Sequence, residues 1–357
     1  MMKRQKEAIK ILSKYREYVW PEIQSYLGKE KYNHTFEIPS KYKSLQNFHQ
    51  KMINDYPSRK GKYLRPTLLL LTAEAMGVAK EKAIKTATAM QLSEEWLLVH
   101  DDFQDNSLER RGKPALHRIY GNELAVNAGN TLHILMWKIL SDNIDLLGSK
   151  KTKQLIDEFY QILSRTALGQ TTELKWTKEN KLKITNPDWF FIADGKTSYY
   201  TIAGPMRLGA IIANASKRQL DLLANFGSNL GRCFQLVDDV LDIESDFAGL
   251  KKQKGNDIYE GKRTILLGHL IRTAREKDKK KIISIMSKPR DQKNKSEVLW
   301  IIKKMHEYGS ILYAKNLAKK LKDQAFEIFE KDLGFLSTQP ARSHLEEIIN
   351  FILERDH

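Results

Sequence analysis

Apolar residues recur at spacings of three and four along most of this chain, and no other feature constrains its fold as strongly. One such run contains Leu220, Leu223, Phe226, Leu230 and Phe234, which share one face of a helix. Alternating patterns typical of strands are scarce. We therefore predict an all-α protein. The predicted helices cover residues 3–27, 40–55, 64–77, 80–104, 118–147, 150–176, 187–213, 216–246, 262–276, 294–331 and 340–354.

Capping residues and prolines mark several helix boundaries. Ser216 followed by Gln219 fits a capping box, in which the two residues exchange side-chain and backbone hydrogen bonds. Asn186 before a proline predicts another helix start. Gly204 and Pro205 fall inside a predicted helix and should kink or interrupt it.

Composition and spacing favour one large globular domain. Of the 357 residues, 41% are hydrophobic and 29% are charged, as in ordinary soluble proteins. No internal repeat or long linker marks a boundary, so we predict a single all-helical domain over residues 1–357.

The sequence also leads us to expect a cytoplasmic protein. Its single cysteine, Cys233, rules out an internal disulfide. Charges recur too often near the start for a signal peptide. The leucine cluster at residues 68–71 is far shorter than the roughly 20 residues that span a membrane, so we expect no transmembrane segment.

The net charge of +16 suggests a polyanionic partner but does not identify one. Three explanations are open: a solvated lysine-rich surface, a nucleic acid, or a substrate that carries a diphosphate. Because the chain contains no recognisable nucleic-acid-binding module, we expect no nucleic-acid partner.

Two clusters of three aspartates predict a metal site. They consist of Asp101, Asp102 and Asp105, and of Asp238, Asp239 and Asp242. In each cluster the first and last residues share one face of a helix. Grouped carboxylates repel one another unless a cation lies between them, and oxygen ligands favour Mg²⁺ or Mn²⁺. Magnesium commonly bridges carboxylates and phosphates, so the clusters predict a diphosphate site.

Basic residues follow each cluster and suit the same ligand. Arg110 and Arg111 come after the first cluster, and Lys252 and Lys262 come after the second. Arginine can bind phosphate oxygens through two parallel hydrogen bonds, and lysine supplies a point charge.

Five ordered motifs resemble the trans-prenyl diphosphate synthase family, over about residues 58–265. They lie at residues 61–66, 101–112, 169–173, 195–197 and 231–242. The resemblance implies a single large helical bundle with a central cavity, which assembles as a homodimer. It implies condensation of an allylic diphosphate (dimethylallyl, geranyl or farnesyl) with isopentenyl diphosphate, the allylic substrate ionising to a carbocation that the isopentenyl double bond attacks.

The resemblance also implies a role for each matching residue. The metal ligands, for three Mg²⁺ ions with Mn²⁺ as the alternative, would be Asp101, Asp102, Asp105, Asp238, Asp239 and Asp242. The allylic diphosphate would be bound by Arg110, Lys196, Lys252 and Lys262. The diphosphate of isopentenyl diphosphate would be bound by Lys62, Arg65 and Arg111. Thr197 and Gln235 would lie beside the reacting allylic carbons. The catalytic set is Asp101, Asp102, Asp105, Lys196, Thr197, Gln235 and Asp238.

Glu94 departs from the family pattern. It stands seven residues before Asp101, where the family usually has a histidine or glutamine that contacts isopentenyl diphosphate. A carboxylate there repels the substrate unless it pairs with Lys62, Arg65 or another cation, or turns away. Two alternatives therefore remain: a related enzyme whose acceptor site is altered by Glu94, and a terpene cyclase. The paired arginines disfavour the cyclase.

Trp96 would set the product length. In the family, bulk on the helix that leads into the first aspartate motif limits the growing hydrocarbon chain, and Trp96 lies five residues before Asp101. It would form the floor under that chain, although a core tryptophan is the alternative. We predict geranylgeranyl diphosphate as the product, with farnesyl diphosphate as the alternative.

Overall fold

The computed structural model describes residues 2–28, 35–244 and 254–353, so Lys252 lies outside the described residues. The α-helices are α1 (Met2–Tyr26), α2 (Lys43–Ser58), α3 (Leu64–Ala75), α4 (Ile84–Gln104), α5 (Leu116–Tyr120), α6 (Asn122–Ser141), α7 (Ile144–Leu147), α8 (Ser149–Lys178), α9 (Asn186–Ala193), α10 (Gly204–Ile212), α11 (Lys217–Glu244), α12 (Asn256–Glu260), α13 (Ile265–Thr273), α14 (Glu276–Met286), α15 (Lys295–Glu307), α16 (Ser310–Asp332) and α17 (Ala341–Leu353). A π-helix, Asp194–Ala203, joins α9 to α10. A short antiparallel hairpin of β1 (Glu109–Arg110) and β2 (Lys113–Pro114) follows α4.

The all-α prediction is confirmed, and the differences have local causes. The predicted helix 118–147 is divided into α5, α6 and α7, with Gly121 at φ 89° separating the first two. The predicted helix 294–331 breaks at Gly309, whose φ of 70° no ordinary helical residue adopts. Helix α14 was missed because its buried apolar residues, Ile282, Ile285 and Met286, fall only at its end.

Two predicted helix starts have different outcomes. The capping box at Ser216 is present: its backbone N–H donates to Gln219 Oε1 at 2.8 Å, and Gln219 N–H donates to Ser216 Oγ at 3.3 Å. Asn186 was wrongly predicted as a cap. Thr185 caps α9 instead, because its Oγ1 accepts a hydrogen bond from Asp188 N–H at 3.3 Å and Asp188 reciprocates.

One hydrophobic core runs through the described helices, from α1 to α17. The leucine cluster of α3, residues 68–71, is fully buried in it. None of the described helices combines the length and apolarity that a membrane span needs. Helix α4 packs mainly against α6, while α11 packs against the π-helix and α16. Helix α11 therefore lies directly against the π-helix, and Asp101 at the end of α4 reaches it through an ion pair with Lys196.

The predicted interruption at Gly204 is confirmed, and it takes the form of the π-helix. The wider turn ends at Ala203, and Pro205 lies in the first turn of α10, where its missing N–H is tolerated. π-Helical turns are uncommon and occur frequently at functional sites. This one carries Lys196 and Thr197, both predicted from the motifs.

Candidate active site

A chain of polar contacts joins the two aspartate clusters across the π-helix. Lys196 Nζ lies 3.2 Å from Asp101 Oδ1 on α4. The neighbouring Thr197 hydroxyl donates to Gln235 Oε1 at 2.9 Å, and the Gln235 amide donates to Asp239 Oδ1 at 2.8 Å on α11. The sequence motifs around these five residues therefore meet in one place, which we call the aspartate cleft.

Two glycines set the position of Lys196. A Cβ on Gly169 of α8 would lie 2.5 Å from the backbone nitrogen of Lys196, so α8 and the π-helix touch at this point. Gly195 approaches the same turn, since its Cβ would lie 3.2 Å from Gly169 Cα. This close packing brings Lys196 to Glu173, one turn along α8, with which it forms an ion pair. The motifs at residues 169–173 and 195–197 thus together fix the position of the Lys196 side chain.

Lys262 is a second cation whose charge acts on carboxylates of both clusters. Its Nζ is 3.2 Å from Asp257 Oδ1 and 2.9 Å from Glu260 Oε2, and its charge also acts on Asp105 and Asp239. Burial opposes protonation, but Asp257 and Glu260 outweigh it and hold the pKa of Lys262 well above its usual value. The cleft therefore contains a lysine that stays charged.

The aspartates of the cleft repel one another. Burial would raise the pKa of Asp101, but nearby Lys196, then Lys262 and other cations, lower it to about 2. Burial and the charge of Asp101 raise the pKa of Asp105 to about 8. Burial and then Asp257 raise the pKa of Asp239 well above its usual value.

These carboxylates fit a divalent cation. Among the described residues, Asp239 Oδ2 is buried and has no hydrogen-bond partner, which is costly unless a cation compensates it. Oxygen ligands and raised carboxyl pKa values suit Mg²⁺, which would stabilise the charged form. Within residues 2–28, 35–244 and 254–353, no three acidic, histidine or cysteine side chains are grouped closely enough to form a metal site by themselves. Diphosphate oxygens would have to complete the coordination.

Two aspartates of the predicted metal set have other partners. Asp102 is fully buried; it accepts hydrogen bonds from Arg110 Nε at 2.9 and 3.1 Å and from the Tyr56 hydroxyl at 2.6 Å. Asp242 accepts the first two backbone N–H groups of α12, at 3.1 and 3.0 Å, and so holds that helix beside the cleft. The family resemblance had grouped both with the metal ligands, and that role stays a prediction for them. The described contacts make Asp102 the partner of Arg110.

The predicted acceptor arginines are paired with two glutamates of α4. Arg65 Nη1 lies 3.1 Å from Glu94 Oε2, so the expected pairing of Glu94 with a cation is present. Arg111 Nη1 donates to Glu95 Oε2 at 2.9 Å. Glu95 is fully buried, and burial raises its pKa to about 7 despite the opposing charge of Arg111. Glu95 was not predicted as a site residue. Lys62 lies in the short connection between α2 and α3.

Trp96 is held in a cluster of aromatic rings. Its indole Nε1 donates to His100 Nδ1 at 3.1 Å, and its ring stacks on His133 with 3.9 Å between centroids. Trp137 Nε1 donates to His133 Nε2 at 2.7 Å. Burial lowers the pKa of both histidines, which keeps them neutral. His133 and Trp137 lie on α6, so no pattern within α4 could have identified them.

A small cavity lies on the α11 side of the cleft, behind Asp239. The cavity lined by Asp239, Asp257 and Lys262 has a volume of about 10 Å³, room for about one water molecule. A hollow of about 720 Å³ lies elsewhere, between the beginnings of α8 and α11 and the end of α10, and none of the predicted site residues lines it in the described structure.

The match to known proteins covers both clusters. Residues 46–305 match the polyprenyl synthetase family. The chain is 32% identical to the short chain isoprenyl diphosphate synthase of Methanothermobacter thermautotrophicus, over 83% of this chain and 87% of the relative. It is 32% identical to the geranylgeranyl diphosphate synthase of Saccharolobus solfataricus, over 83% and 86%. The crystal structure of geranylgeranyl pyrophosphate synthetase from Pyrococcus horikoshii matches with a TM-score of 0.81 and 29% identity, over 97% of this chain and 99% of that one. These matches confirm the resemblance carried by the five motifs, and the chain belongs to the polyprenyl synthetase family of prenyltransferases.

Proposed function

We propose that this prenyltransferase condenses an allylic diphosphate with isopentenyl diphosphate and releases geranylgeranyl diphosphate, with farnesyl diphosphate as the alternative product. The observation that carries the proposal is the aspartate cleft, where Asp101 of α4 lies 3.2 Å from Lys196 and the charge of Lys262 acts on Asp239 of α11. The names of the relatives from M. thermautotrophicus and S. solfataricus support the short-chain class.

The cleft suits ionisation of the allylic carbon–oxygen bond. Asp101, Asp105, Asp238 and Asp239 would hold Mg²⁺, or alternatively Mn²⁺, which supplies positive charge to the departing diphosphate. Lys196 and Lys262 remain protonated in the same cleft, because neighbouring carboxylates raise the pKa of each. Fixed positive charge close to the oxygen that becomes negative stabilises the transition state.

The neutral residues of the cleft suit the carbocation. Thr197 donates its hydroxyl hydrogen to Gln235, so the lone pairs of the Thr197 oxygen remain oriented by that bond. Gln235 is fixed in turn by Asp239. Preorganised oxygen dipoles can stabilise positive charge on the allylic carbons without acting as nucleophiles. Arg65 and Arg111, which pair with glutamates of α4, would bind the diphosphate of isopentenyl diphosphate and so hold its double bond in line.

A product assay tests this function. Purified protein with Mg²⁺ and labelled isopentenyl diphosphate, given dimethylallyl, geranyl or farnesyl diphosphate in turn, should form longer prenyl diphosphates ending at geranylgeranyl diphosphate. Formation of a cyclic hydrocarbon without consumption of isopentenyl diphosphate would favour a terpene cyclase instead.

Replacing Trp96 by alanine should lengthen the product. The indole is fixed by His100 and His133, so its removal leaves space that the neighbouring side chains cannot readily refill. Chromatography of the dephosphorylated products should show chains longer than those of the wild type. Trp300→Ala, on α15, is the matched control and should leave chain length unchanged. If Trp96→Ala also leaves it unchanged, Trp96 is a core residue and not the floor.

The family resemblance also leads us to propose a homodimer. Ile134 on α6 and Tyr160 and Leu168 on α8 expose large apolar side chains, which supports an interface on these helices. Sedimentation velocity would test it, since a monomer at micromolar concentration contradicts the proposal. A cytoplasmic location and a single domain stay predictions from the sequence.

A further inference from the structure

We infer that Glu94 is a specificity-determining residue of the acceptor site: its carboxylate pairs with Arg65 and Arg111 and must move away before an acceptor diphosphate can bind them. The inference rests on the proposed function, since it takes the acceptor to carry a diphosphate. The Glu94 carboxylate would compete with the acceptor diphosphate for the two arginines, and this competition sets how tightly the second substrate binds.

Glu94 lies on the side of α4 that faces the cleft. It precedes Asp101 by seven residues, or two helical turns, so the two side chains share a face about 10 Å apart along the helix axis. Its side chain is 14% exposed. A ligand that enters beside Asp101 and extends along α4 therefore reaches Glu94.

Arg65 depends on Glu94 for charge compensation. Its Nη2 donates to Thr201 Oγ1 at 2.8 Å, and its guanidinium carbon lies 4.5 Å from the centre of the Tyr200 ring. Both partners are neutral. Among the described contacts of Arg65, the charged partner is Glu94, at 3.1 Å. An incoming anion must replace that carboxylate.

Arg111 is held more firmly, and chiefly by Glu95. Two of its nitrogens bond the Glu95 carboxylate at 2.9 to 3.1 Å, and Nη1 also donates to Tyr56 O at 3.0 Å. A Cβ on Gly61 would lie 2.7 Å from Arg111 Nη2, so the backbone of residue 61 covers the guanidinium. Glu94 Oε1 is 3.8 Å away as a second, weaker partner. Two arginines thus face two glutamates, which compensate part of the guanidinium charge.

Glu94 is the glutamate that can move. Glu95 is fully buried and also accepts a hydrogen bond from Gln91 at 2.7 Å. In the described structure Glu94 Oε2 has no hydrogen-bond partner, so its contact with Arg65 is an ion pair without hydrogen-bond geometry. A diphosphate carries more charge and can form paired hydrogen bonds to a guanidinium, so it can displace a single loosely held carboxylate.

A binding measurement tests the role of this charge. Equilibrium dialysis of isopentenyl diphosphate, without divalent cations so that the metal-dependent site is not loaded, gives a Kd for each variant. Glu94→Gln should lower that Kd about tenfold, because it removes a repelling charge from the site. Glu94→Asp keeps the charge and should stay within about twofold of the wild type. The matched control is Glu327→Gln, an exposed glutamate paired with Lys331 on α16.

A double-mutant cycle tests whether Glu94 affects the Kd through its pairing with Arg65. Glu94→Gln should have a smaller effect on the Kd in an Arg65→Gln background than in the wild type, because one of the two arginines for which Glu94 competes is then absent. In turnover, Glu94→Gln should lower KM for isopentenyl diphosphate and not for the allylic substrate. An unchanged or higher Kd for Glu94→Gln overturns the inference, as does an equal fall with Glu94→Asp. Failure of the proposed function would differ: no variant would form an extended product, whatever its Kd.

Discussion

Replacing Asp101 by asparagine is expected to lower kcat at least about a thousandfold. The carboxylate is ionised under ordinary conditions, because Lys196 and other cations lower its pKa to about 2 against the effect of burial. Asparagine keeps the shape but removes the charge that would hold Mg²⁺ and that orients Lys196 at 3.2 Å. Both sources of positive charge on the leaving diphosphate then weaken together.

Steady-state kinetics with saturating substrates and varied Mg²⁺ would measure the effect, and circular dichroism would show that the helix content is retained. Asp157→Asn is the matched control. Asp157 lies on α8 in an exposed pair with Lys153 at 2.7 Å, and its replacement should leave kcat nearly unchanged. Activity of Asp101→Asn close to that of the wild type would contradict the metal-mediated binding of diphosphate in the cleft.

The helices and the cleft were predictable because both depend on short-range patterns. An interval of four residues places Asp101 and Asp105 on one helix face in any context. The apolar stripe of residues 220–234 required α11 to face a core, which placed Asp238 and Asp239 at the edge of that core. The order of the five motifs then implied that the two helices meet.

The partners of individual side chains were not predictable in the same way. Asp102 and Asp105 look equivalent in the sequence. In the structure, however, the hydroxyl of Tyr56, 46 residues upstream, donates a hydrogen bond to Asp102 in the protein interior. Asp242 accepts hydrogen bonds from the first backbone N–H groups of α12, a short helix that lies outside the helices predicted from the sequence. Such contacts depend on how distant segments pack, and spacing within one segment contains no information on them.

Glu94 shows an intermediate case. Its departure from the family pattern was visible in the sequence, and so was the chance that it pairs with Arg65. The involvement of Glu95 was not, because its burial follows from the closure of Gly61 and Arg111 over α4. The sequence showed a charge in an unusual position, and the structure shows that Arg65 pairs with Glu94 and that Arg111 pairs chiefly with Glu95.

Replacing Lys262 by glutamine is expected to reduce both catalysis and stability. The side chain is 28% exposed and lies 3.2 Å from Asp257 and 2.9 Å from Glu260. Without its charge these carboxylates, together with Asp105 and Asp239, face one another in a confined space. Removing one partner of a largely buried ion pair destabilises a protein by about 3 kcal/mol. Because Lys262 is also proposed to bind the allylic diphosphate, kcat/KM should fall about a hundredfold or more.

The two effects of Lys262→Gln can be separated by adding Mg²⁺. A divalent cation bound among the same carboxylates would relieve their repulsion, so Mg²⁺ alone should raise the unfolding temperature of Lys262→Gln more than that of the wild type. Catalysis should not recover, because a metal cannot replace the lysine at its own position. Lys319→Gln, in an exposed pair with Asp323 at 3.0 Å, is the matched control for loss of one positive charge. An unfolding temperature that Mg²⁺ leaves unchanged in both proteins would mean that the carboxylates of α4 and α11 do not share a cation.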